Sequence, residues 1–396
     1  MNMSSDLNLV THARALLRAG HDAHARAVCR RVLLRQPNQS DALRLLGHLL
    51  TQAGMHGEAV ALLRRACATS VTAATDADLQ CQLGQALLGA DRDQEALSVL
   101  TLAQRGHAEH QPTLKLLATL LHRTGDIDGA QRLLGDAVFR LGESPLVLEL
   151  LEHWRALMPD DPVPQHRLAA LRAEDAMERA ADGYVTYLFD RYADSFDTSL
   201  ANLNYQGPAL IAERLRESAV MPNGRWQVLD AGCGTGLCAA MARPFAEHLT
   251  GVDLSAAMAA KAIERGGYDE LVIAEITEYL SRCLARFDLI VSADTLIYFG
   301  NLDTVFKAAS HALRAGGWFA FTLETTDDHS DENDGVPAKG YRLNGNVRYG
   351  HTPVYVTRTL AASGLVLRAI NAVVIREGDD KPVPGWVVLA QRPSAT

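Results

Sequence analysis

The sequence has no excess of positive charge. It contains 38 Lys and Arg against 47 Asp and Glu, which gives a formal net charge of −9 at pH 7. Residues 1–165 carry −2 (16 basic minus 18 acidic residues), and the remainder carries −7 (22 minus 29). A protein that binds the phosphate backbone of nucleic acids needs an excess or a patch of Lys and Arg. The charge therefore disfavours bulk nucleic acid as a substrate and leaves room only for a local basic patch.

The sequence also lacks cysteine motifs and long apolar runs. Its six Cys residues form no CxxC pair and no metal-ligand spacing, which favours buried, reduced thiols and no metal site. No apolar run reaches about 18 residues, and the first residues show no basic-then-apolar signal pattern. These patterns predict a cytoplasmic protein without a membrane segment.

Small residues recur at a regular interval in the first third of the chain. Four pairs lie seven positions apart, and their first members are separated by 34, 37 and 34 residues: Ala25/Val32, Ala59/Ala66, Ala96/Ala103 and Ala130/Ala137. Gly20, Gly54 and Gly125 mark turns between two helical stretches, and Asp91 takes that place in the third unit. This interval is typical of helix–turn–helix repeats, in which small residues stand where two helices cross closely.

The repeated units resemble the tetratricopeptide repeat, with Leu or Cys where the consensus of that family has aromatic residues. The resemblance implies an all-α solenoid of four helix hairpins in residues 1–143. Such a solenoid needs a closing element with a polar face. We expect capping or linker helices in residues 144–182, the first beginning at Ser144-Pro145 and ending at Pro159.

After residue 182 the pattern changes to short β-branched runs that alternate with helical stretches. Seven runs have the character of strands: WQVLD, HLTGVD, ELVIA, FDLIVSA, GGWFAFTLE, LVLRAINAVVI and GWVVLAQ. This alternation predicts an α/β domain with a doubly wound, mainly parallel sheet in residues 183–396. The ligand of such a sheet binds at the carboxyl ends of the strands, where the strand order reverses.

The first of these strands leads into a glycine-rich turn, VLDAGCGTG. Gly232, Gly234 and Gly236 are spaced G-x-G-x-G, which differs from the G-x-G-x-x-G of dinucleotide enzymes and from the phosphate loop with its lysine. Bare glycines let a ligand lie against the main chain. Because the turn follows Asp230 and Ala231 and has no basic neighbour, it suits an uncharged or cationic ligand better than a pyrophosphate.

The next strand ends supply groups that match a nucleoside. Asp253, at the end of the second strand, can accept both hydroxyls of a ribose, and Leu254 can pack on an adenine. After the third strand, Glu275 can accept from the adenine amino group while the Ile276 amide donates to the ring. Ala293 follows the fourth strand near the glycine turn. A ligand with adenine, ribose and a cationic amino-acid tail is S-adenosylmethionine.

These motifs resemble those of class I S-adenosylmethionine-dependent methyltransferases. The residues that carry the resemblance are DAGCGTG, Asp253, FDLIVSADTLIYF and LRAGGWFAF at their expected spacings. Further matching segments are YLFDRYADSFDTSLANLNYQGPALI, YDELVIAEITEYL and GYRLNGNVRYGHTPVYVTRTLAASGL. They are similar to a bacterial group of predicted methyltransferases with N-terminal tetratricopeptide repeats, and the resemblance to that group covers nearly the whole chain. The resemblance implies a Rossmann-like sheet of seven strands and S-adenosylmethionine as cofactor, and it names no acceptor.

The aromatic residues of segment 184–205 are candidates to cover the cofactor. Aromatic faces attract a sulfonium cation, so we expect Tyr184 and Tyr192 to bind the cofactor. The alternative for any single ring of this segment is a lid helix that packs on the sheet.

Three residues are candidates for catalysis. His351 precedes a helix predicted to begin near Thr352-Pro353, and the helix dipole there disfavours the imidazolium, so the neutral ring could act as a general base. Tyr355 lies about one helical turn further on, and Asp294 follows the fourth strand. A lone His is more often structural, and Tyr298 and Glu324 share the remaining expectation.

Three functions stay open at the level of sequence. The first is a methyltransferase, acceptor unknown, whose repeats dock a protein or a substrate carried on one. The second is a repeat scaffold that senses S-adenosylmethionine without transferring methyl. The third is a small-molecule O-, N- or S-methyltransferase whose repeats only form a homodimer. The Asn-Pro-Pro-Tyr motif of amide and base N-methyltransferases is absent, which disfavours that subclass.

Overall fold

The computed structural model describes residues 3–70, 72, 76–142, 144–174, 177–326, 339–378 and 381–394. The chain divides into two compact units, Met1–Asp160 and Asp161–Thr396. Within the described ranges, no helix combines the length and the apolar character needed to cross a membrane.

The first unit is built from helices that contact one another in consecutive pairs. The helices are α1 (Met3–Arg18), α2 (Asp22–Arg35), α3 (Ser40–Gln52), α4 (His56–Thr69), α5 (Ala77–Gly89), α6 (Asp93–Gly106), α7 (Gln111–Arg123), α8 (Ile127–Leu141) and α9 (Leu146–Leu157). The first eight form four pairs, and α9 follows them. The expected position of α9, between Ser144-Pro145 and Pro159, agrees with this range.

Small residues lie where the two helices of a pair cross. A Cβ atom added to Gly47 in α3 would lie 2.6 Å from Cγ of Leu63 in α4, and one added to Gly84 in α5 would lie 2.5 Å from Cδ2 of Leu100 in α6. Any larger residue would force the helices apart, because packed cores have little free volume. The recurring small residues of the sequence therefore mark close helix crossings.

The turns within the pairs share one backbone conformation. Gly20, Gly54, Asp91 and Gly125 all have positive φ, at 76°, 75°, 56° and 85°. Asp is one of the few residues with a side chain that tolerate this left-handed region. Asp91 therefore substitutes for glycine at the turn of the third pair, as the repeat interval predicted.

The second unit contains one sheet. Its described strands are β1 (Trp226–Ala231), β2 (Ala246–Asp253), β3 (Glu270–Ile273), β4 (Phe287–Ser292), β5 (Leu313–Glu324), β6 (Tyr341–Leu343), β7 (Tyr349–His351), β8 (Val366–Glu377) and β9 (Pro382–Gln391). The order is β3-β2-β1-β4-β5-β7-β6, with β9 also paired to β5 and β8 paired to β9. Neighbours from β3 to β5 are parallel, whereas β9 runs antiparallel to β5 and β8. The part of the sheet from β3 to β5, which includes the strand that leads into the glycine turn, is therefore parallel.

The sheet has nine described strands instead of the expected seven. The seven strand-like runs of the sequence all form strands, and the short hairpin of β6 and β7 adds two more. This hairpin joins the sheet through a single pair, Glu324 with Gly350. Its strands of three residues each are too short to give a clear alternating pattern in the sequence.

Helices surround this sheet. They are α10 (Pro162–Leu171), α11 (Asp182–Tyr192), α12 (Phe196–Asn202), α13 (Gly207–Glu217), α14 (Ala239–Ala242), α15 (Ala256–Arg265), α16 (Ile276–Ser281), α17 (Asp303–Ala312) and α18 (Pro353–Ala362). The buried residues Val228, Leu249, Leu289 and Ala320 come from four parallel strands and belong to one core cluster. This core fixes the carboxyl ends of the strands relative to one another.

Candidate active site

A cavity opens at the carboxyl ends of β1 to β4. It encloses about 1100 Å³, including space that is open to solvent. One part, which we call the glycine end, is lined by residues 232–235 and by Asp253, Leu254, Glu275 and Ile276. Another part, the arginine end, is lined by Asp294, Tyr298, Arg348 and Arg376. The segment from Arg179 to Pro208 contributes mainly apolar side chains to the same cavity.

The glycine turn brings bare backbone to the cavity. Gly232, Gly234 and Gly236 have φ of 80°, 52° and 88°, a region that favours glycine. A Cβ added to Gly232 would lie 2.1 Å from Oγ1 of Thr295, whose hydroxyl donates to the Gly232 carbonyl over 3.2 Å. A Cβ on Gly234 would meet only the Phe196 ring, at 3.9 Å. Gly232 is thus fixed by packing, whereas Gly234 faces open space.

Gly236 does not line the cavity, although the sequence predicts it to bind the cofactor. A Cβ at this position would lie 3.1 Å from Cε2 of Tyr268 and 3.2 Å from Cδ of Arg265. The third glycine is needed where the turn packs on the end of α15 and on Tyr268.

Asp253 joins the end of β2 to the glycine turn. Its Oδ2 accepts from the Gly234 amide and its Oδ1 from the Ser255 amide, both over 2.8 Å. Burial raises the pKa of this carboxyl, and the amide donors oppose the effect. A carboxylate has about four acceptor positions, and the amides of Gly234, Ser255 and Leu254 do not fill all of them. Asp253 therefore remains able to accept from a ligand hydroxyl.

Asp230 and Ala231 lie behind the turn and do not line the cavity, in contrast to their predicted role as cofactor-binding residues. Oδ2 of Asp230 accepts from the Tyr268 hydroxyl over 2.6 Å, and its buried Oδ1 has no hydrogen-bond partner. Burial raises the pKa of this carboxyl to about 7. The Ala231 carbonyl accepts from Ser292 Oγ over 2.8 Å. Both residues end a strand covered on both faces, so their contacts lie within the protein.

The ends of β3 and β4 contribute the other predicted residues. Leu254, Glu275, Ile276 and Ala293 all line the cavity. Glu275 also caps α16, because its Oε2 accepts from the Glu278 amide over 2.8 Å.

Arg179 was not predicted from the sequence. Its Nη1 lies 3.4 Å from Oε1 of Glu275, and its Nη2 lies 2.7 Å from Oδ1 of Asp182. It lies in a stretch without a recognisable motif, and only the three-dimensional structure brings it to the glycine end.

Two of the predicted aromatic residues do not line the cavity. Tyr184 is 1% exposed, and its ring packs on His166 with the centroids 4.2 Å apart. Tyr192 is also absent from the lining. Phe189 and Phe196, from the same segment, line the cavity, with their ring centroids 5.9 Å apart. The segment therefore covers the cavity as expected, but through other faces of its helices, and its position in the sequence could not reveal which faces.

The arginine end is a network of buried charges. Nη1 of Arg376 lies 2.6 Å from Oδ2 of Asp294, and its Nη2 donates to Oε1 of Glu324. Nη1 of Arg348 lies 3.6 Å from the same Glu324 oxygen, and Nδ2 of Asn346 donates to Oε2 over 2.7 Å. Burial acts to raise the pKa of Glu324, but the two arginines hold it below its usual value. Glu324 is therefore ionised and shared between two cations.

Asp294 is held in an unusual backbone conformation. Its φ is 53°, its amide donates to Thr322 Oγ1 over 2.8 Å, and the Thr322 hydroxyl donates back to Oδ1 over 3.1 Å. Burial raises the pKa of the carboxyl, and Arg376 opposes this effect. Asp tolerates this left-handed region, as at Asp91, and the conformation places the carboxyl beside Arg376. Asp294 is the only one of the three predicted catalytic residues that lies among the described lining residues.

His351 and Tyr355 do not line the cavity, in contrast to the sequence expectation. His351 is fully buried, its Nε2 lies 3.1 Å from the Gly300 carbonyl oxygen, and burial lowers its pKa to about 4. The Tyr355 hydroxyl accepts from the Leu302 amide over 2.8 Å. The helix does begin at Pro353, with Thr352 as its cap, so the local prediction is correct. The imidazole nevertheless belongs to β7 and packs inward, which gives both residues structural contacts.

Comparison with known proteins identifies the domain. Residues 229–321 match a family model described as a methyltransferase domain. The chain is 32% identical over 162 residues to a malonyl-[acyl-carrier protein] O-methyltransferase of Pseudescherichia vulneris, covering 41% of this chain and 62% of the relative. It is 29% identical over 159 residues to the human methyltransferase-like protein 27, covering 40% and 64%. The matches thus span less than two thirds of the length of these relatives.

Among solved structures, an S-adenosylmethionine-dependent methyltransferase from Mesorhizobium loti matches 46% of this chain and 98% of its own, with 23% identity and a TM-score of 0.36. The assignment rests on the family model, whose range includes the glycine turn, Asp253 and Asp294. Residues 229–321 therefore match a methyltransferase domain, as the strand-end motifs predicted.

Proposed function

We propose that the protein transfers a methyl group from S-adenosylmethionine to an acceptor that binds in the same cavity. The observation that carries the proposal is the arrangement of Asp253 beside the bare Gly234, with Leu254 and Ile276 on the same wall. When bound, this cofactor supplies a methyl group activated by a sulfonium. The arginine end gives the acceptor a place next to the glycine end.

The residues of the glycine end suit the parts of this cofactor. Asp253 keeps acceptor capacity for the ribose, and Leu254 and Ile276 offer apolar surface to a flat adenine ring. The rings of Phe189 and Phe196 can attract a cation. The chain thus binds and orients the reactants and excludes water from them, and these are the main tasks when the leaving group is already activated.

Titration calorimetry on the full chain tests the cofactor. We expect saturable binding of S-adenosylmethionine and of its demethylated product, S-adenosylhomocysteine. NAD shares the adenosine but adds a pyrophosphate. The Arg265 guanidinium, which lies against the glycine turn, is already engaged by the Thr235 carbonyl and by Asp197, so we expect NAD to bind at least 100-fold more weakly. Equal affinity for NAD would contradict the proposed cofactor.

A sensor without transferase activity is the second candidate. Production of S-adenosylhomocysteine in the presence of a cell extract separates the two, because a sensor binds the cofactor and does not consume it. The arginine end favours the transferase, since a sensor has no need of a second, charged compartment beside the cofactor.

We also infer that the paired helices α1 to α8 form tetratricopeptide-like repeats that dock a protein, or a substrate carried on one. Leu34 in α2 and Phe139 in α8 are 84% and 63% exposed, and each lies nine residues after the first small residue of its repeat. One relative is named for a substrate on an acyl-carrier protein, which is a carried acceptor of this kind. Membership of the bacterial repeat-containing group and a cytoplasmic location remain predictions.

The docking proposal is tested with a double variant, Leu34→Lys with Phe139→Lys. We expect it to raise the KM for a protein acceptor at least tenfold while the affinity for S-adenosylhomocysteine stays within twofold. Conversion of a dimer to a monomer by the same variant, with KM unchanged, would instead favour repeats that only form a homodimer.

A further inference from the structure

We propose that the atom methylated is a carboxylate oxygen of the acceptor, that Arg348 holds this carboxylate, and that the product is a methyl ester. This inference rests on the proposed methyl transfer and specifies its acceptor. Three observations support it: the location of Arg348, the charge balance around it, and the state of the acids that line the cavity.

Arg348 lines the cavity on the side of β4, β5 and β7, which lies away from the glycine end. The glycine end is built on β1, β2 and β3, whereas Asp294 follows β4 and Glu324 ends β5, the next strands of the sheet. Arg348 lies just before β7, whose Gly350 pairs with Glu324. A group bound to Arg348 therefore lies over the side of the sheet that the glycine end leaves free.

The charge balance leaves Arg348 weakly paired. Arg376 donates to both Asp294 and Glu324, so one guanidinium engages both carboxylates of the network. The contact of Arg348 with Glu324 is 3.6 Å, beyond hydrogen-bond distance, and the second Glu324 oxygen accepts from Asn346. The Arg348 side chain is 32% exposed, against 3% for Arg376. Arg348 also donates to the Tyr298 hydroxyl, and because a guanidinium carries five N–H donors, it keeps others for a further anion.

Its environment keeps Arg348 positively charged and in place. Its pKa is raised by the neighbouring Tyr298, Glu324 and Asp294, although burial acts in the opposite direction. The Arg348 amide donates to Oδ1 of Asn346 over 3.0 Å, which fixes the backbone of the hairpin turn. A planar guanidinium held in this way matches the two oxygens of a carboxylate.

The acids that line the cavity are engaged in contacts of their own. Asp253 accepts from two amides, Asp294 from Arg376 and Thr322, and Glu275 from the start of α16. Asp182 pairs with Arg179. Among the described residues that line the cavity there is neither His nor Lys.

The cysteines of the cavity do not offer a base either. Burial raises the pKa of the Cys233 and Cys238 thiols, so both stay protonated near neutral pH. The arrangement therefore suits an acceptor that needs no deprotonation. A carboxyl group has a pKa near 4 and has already lost its proton at pH 7, whereas an alcohol or an ammonium group has not.

The reaction balances without a proton transfer. A carboxylate oxygen forms a bond to the methyl carbon, the carbon–sulfur bond of the sulfonium breaks, and its electron pair stays on sulfur. The negative charge of the acceptor and the positive charge of the sulfonium disappear together, giving a neutral ester and a thioether. Arg348 orients the carboxylate through one oxygen or both, so that an oxygen lone pair can face the methyl group.

The remaining walls indicate the rest of the acceptor. The segment that covers the cavity contributes apolar side chains: Val185, Leu200, Leu203 and Pro208. A carboxylate attached to an apolar body fits this lining better than a sugar or another polar body, whose hydroxyls would lack partners along it.

The stability of the transferred label to base tests the inference. The full chain is incubated with S-adenosylmethionine carrying a labelled methyl group and an extract of its native host, and half of the product is treated at about pH 10. Methyl esters release volatile methanol under this treatment, whereas methyl groups on nitrogen, sulfur or ether oxygen do not. We expect most of the label to become volatile. Base-stable label would overturn the carboxylate proposal while leaving methyl transfer intact. Absence of transfer despite cofactor binding would overturn both.

Variants then test the assignment of Arg348. With the corresponding unlabelled extract fraction, which still holds the unmethylated acceptor, as substrate, we expect Arg348→Met to raise KM at least 30-fold with kcat within threefold, and Arg348→Lys to recover part of the loss. S-adenosylhomocysteine affinity should stay within threefold in both. Arg342→Met is the matched control, since Arg342 lies on β6 of the same hairpin and does not line the cavity. If Arg348→Met fails to fold, the lysine variant alone decides. An unchanged KM in a folded variant would overturn the role of Arg348.

Discussion

The two ends of the cavity use carboxylates in different ways. At the glycine end, Asp253 and Glu275 accept from backbone amides a few residues away or on the adjacent turn. At the arginine end, Asp294 and Glu324 bind guanidinium groups that lie more than 20 residues away in sequence. The first end is organised mainly by backbone contacts, to which the partly exposed Arg179–Glu275 pair is added, and the second by buried ion pairs. Substitution of Asp253 should therefore mainly weaken ligand binding, whereas loss of the buried, doubly paired Arg376 should mainly destabilise the fold.

The largest effect is expected from Arg376→Met at the arginine end. The substitution leaves Asp294 and Glu324 buried without their shared cation, which costs about 3–5 kcal/mol of unfolding free energy. Urea denaturation of the full chain measures the loss. Arg179→Met is the control, because Arg179 also pairs with two carboxylates but is 40% exposed, so its loss should stay below about 1 kcal/mol. Equal losses in the two variants would mean that burial does not distinguish them.

His351 gives a pH-dependent contribution close to the arginine end. Its pKa is about 4 in the folded protein and about 6.5 when unfolded. The unfolded chain therefore binds the extra proton between these values, and stability falls as the pH drops from 6.5 to 4, by about 3 kcal/mol. We expect His351→Gln to remove this part of the pH dependence. The exposed His311→Gln is the control, and an unchanged pH profile in His351→Gln would contradict the assignment.

At the glycine end, Asp253→Asn should weaken both S-adenosylmethionine and S-adenosylhomocysteine by about 2–3 kcal/mol, because hydrogen bonds to a charged carboxylate are lost. Calorimetry measures the change, roughly 30-fold to 150-fold in Kd. Asp288→Asn is a matched control, since Asp288 also accepts from a backbone amide, that of Gln227 over 2.8 Å, but does not line the cavity. Comparable weakening in the control would show a general effect on the sheet.

The smallest effect is expected from Gly232→Ala. The added Cβ meets the Thr295 side chain, and the positive φ adds strain, so the turn has to shift. We expect cofactor affinity to fall about tenfold, or about 1.4 kcal/mol. Gly345→Ala is the control because nothing lies within 4 Å of its added Cβ. Affinity within twofold of the unchanged protein would show that the glycine turn tolerates a side chain.

The same contrast explains what the sequence could predict. The glycine turn, Asp253 and the left-handed Asp91 follow from short-range patterns, and each has a local physical reason. Arg376 reaches Asp294 across 82 residues, and no short pattern encodes such a pair.

His351 shows what a short sequence pattern cannot predict. The start of α18 at Pro353 was predictable from its cap, whereas the inward direction of the imidazole depends on how the hairpin docks on β5. The sequence also could not predict that Tyr184 turns away from the cavity, because its partner His166 belongs to a different helix. Local rules locate an element, but they do not determine which side chain of it reaches a cavity.

The bond between Asp253 and the Gly234 amide has a consequence for the energetics of recognition. The carboxylate that is suited to the ribose already holds the turn against the end of β2 before any ligand arrives. The entropy needed to order this loop is therefore lost during folding and not during association. A preorganised loop of this kind should give cofactor binding a small conformational-entropy penalty and little change in backbone mobility, so that most of the interaction enthalpy appears as affinity.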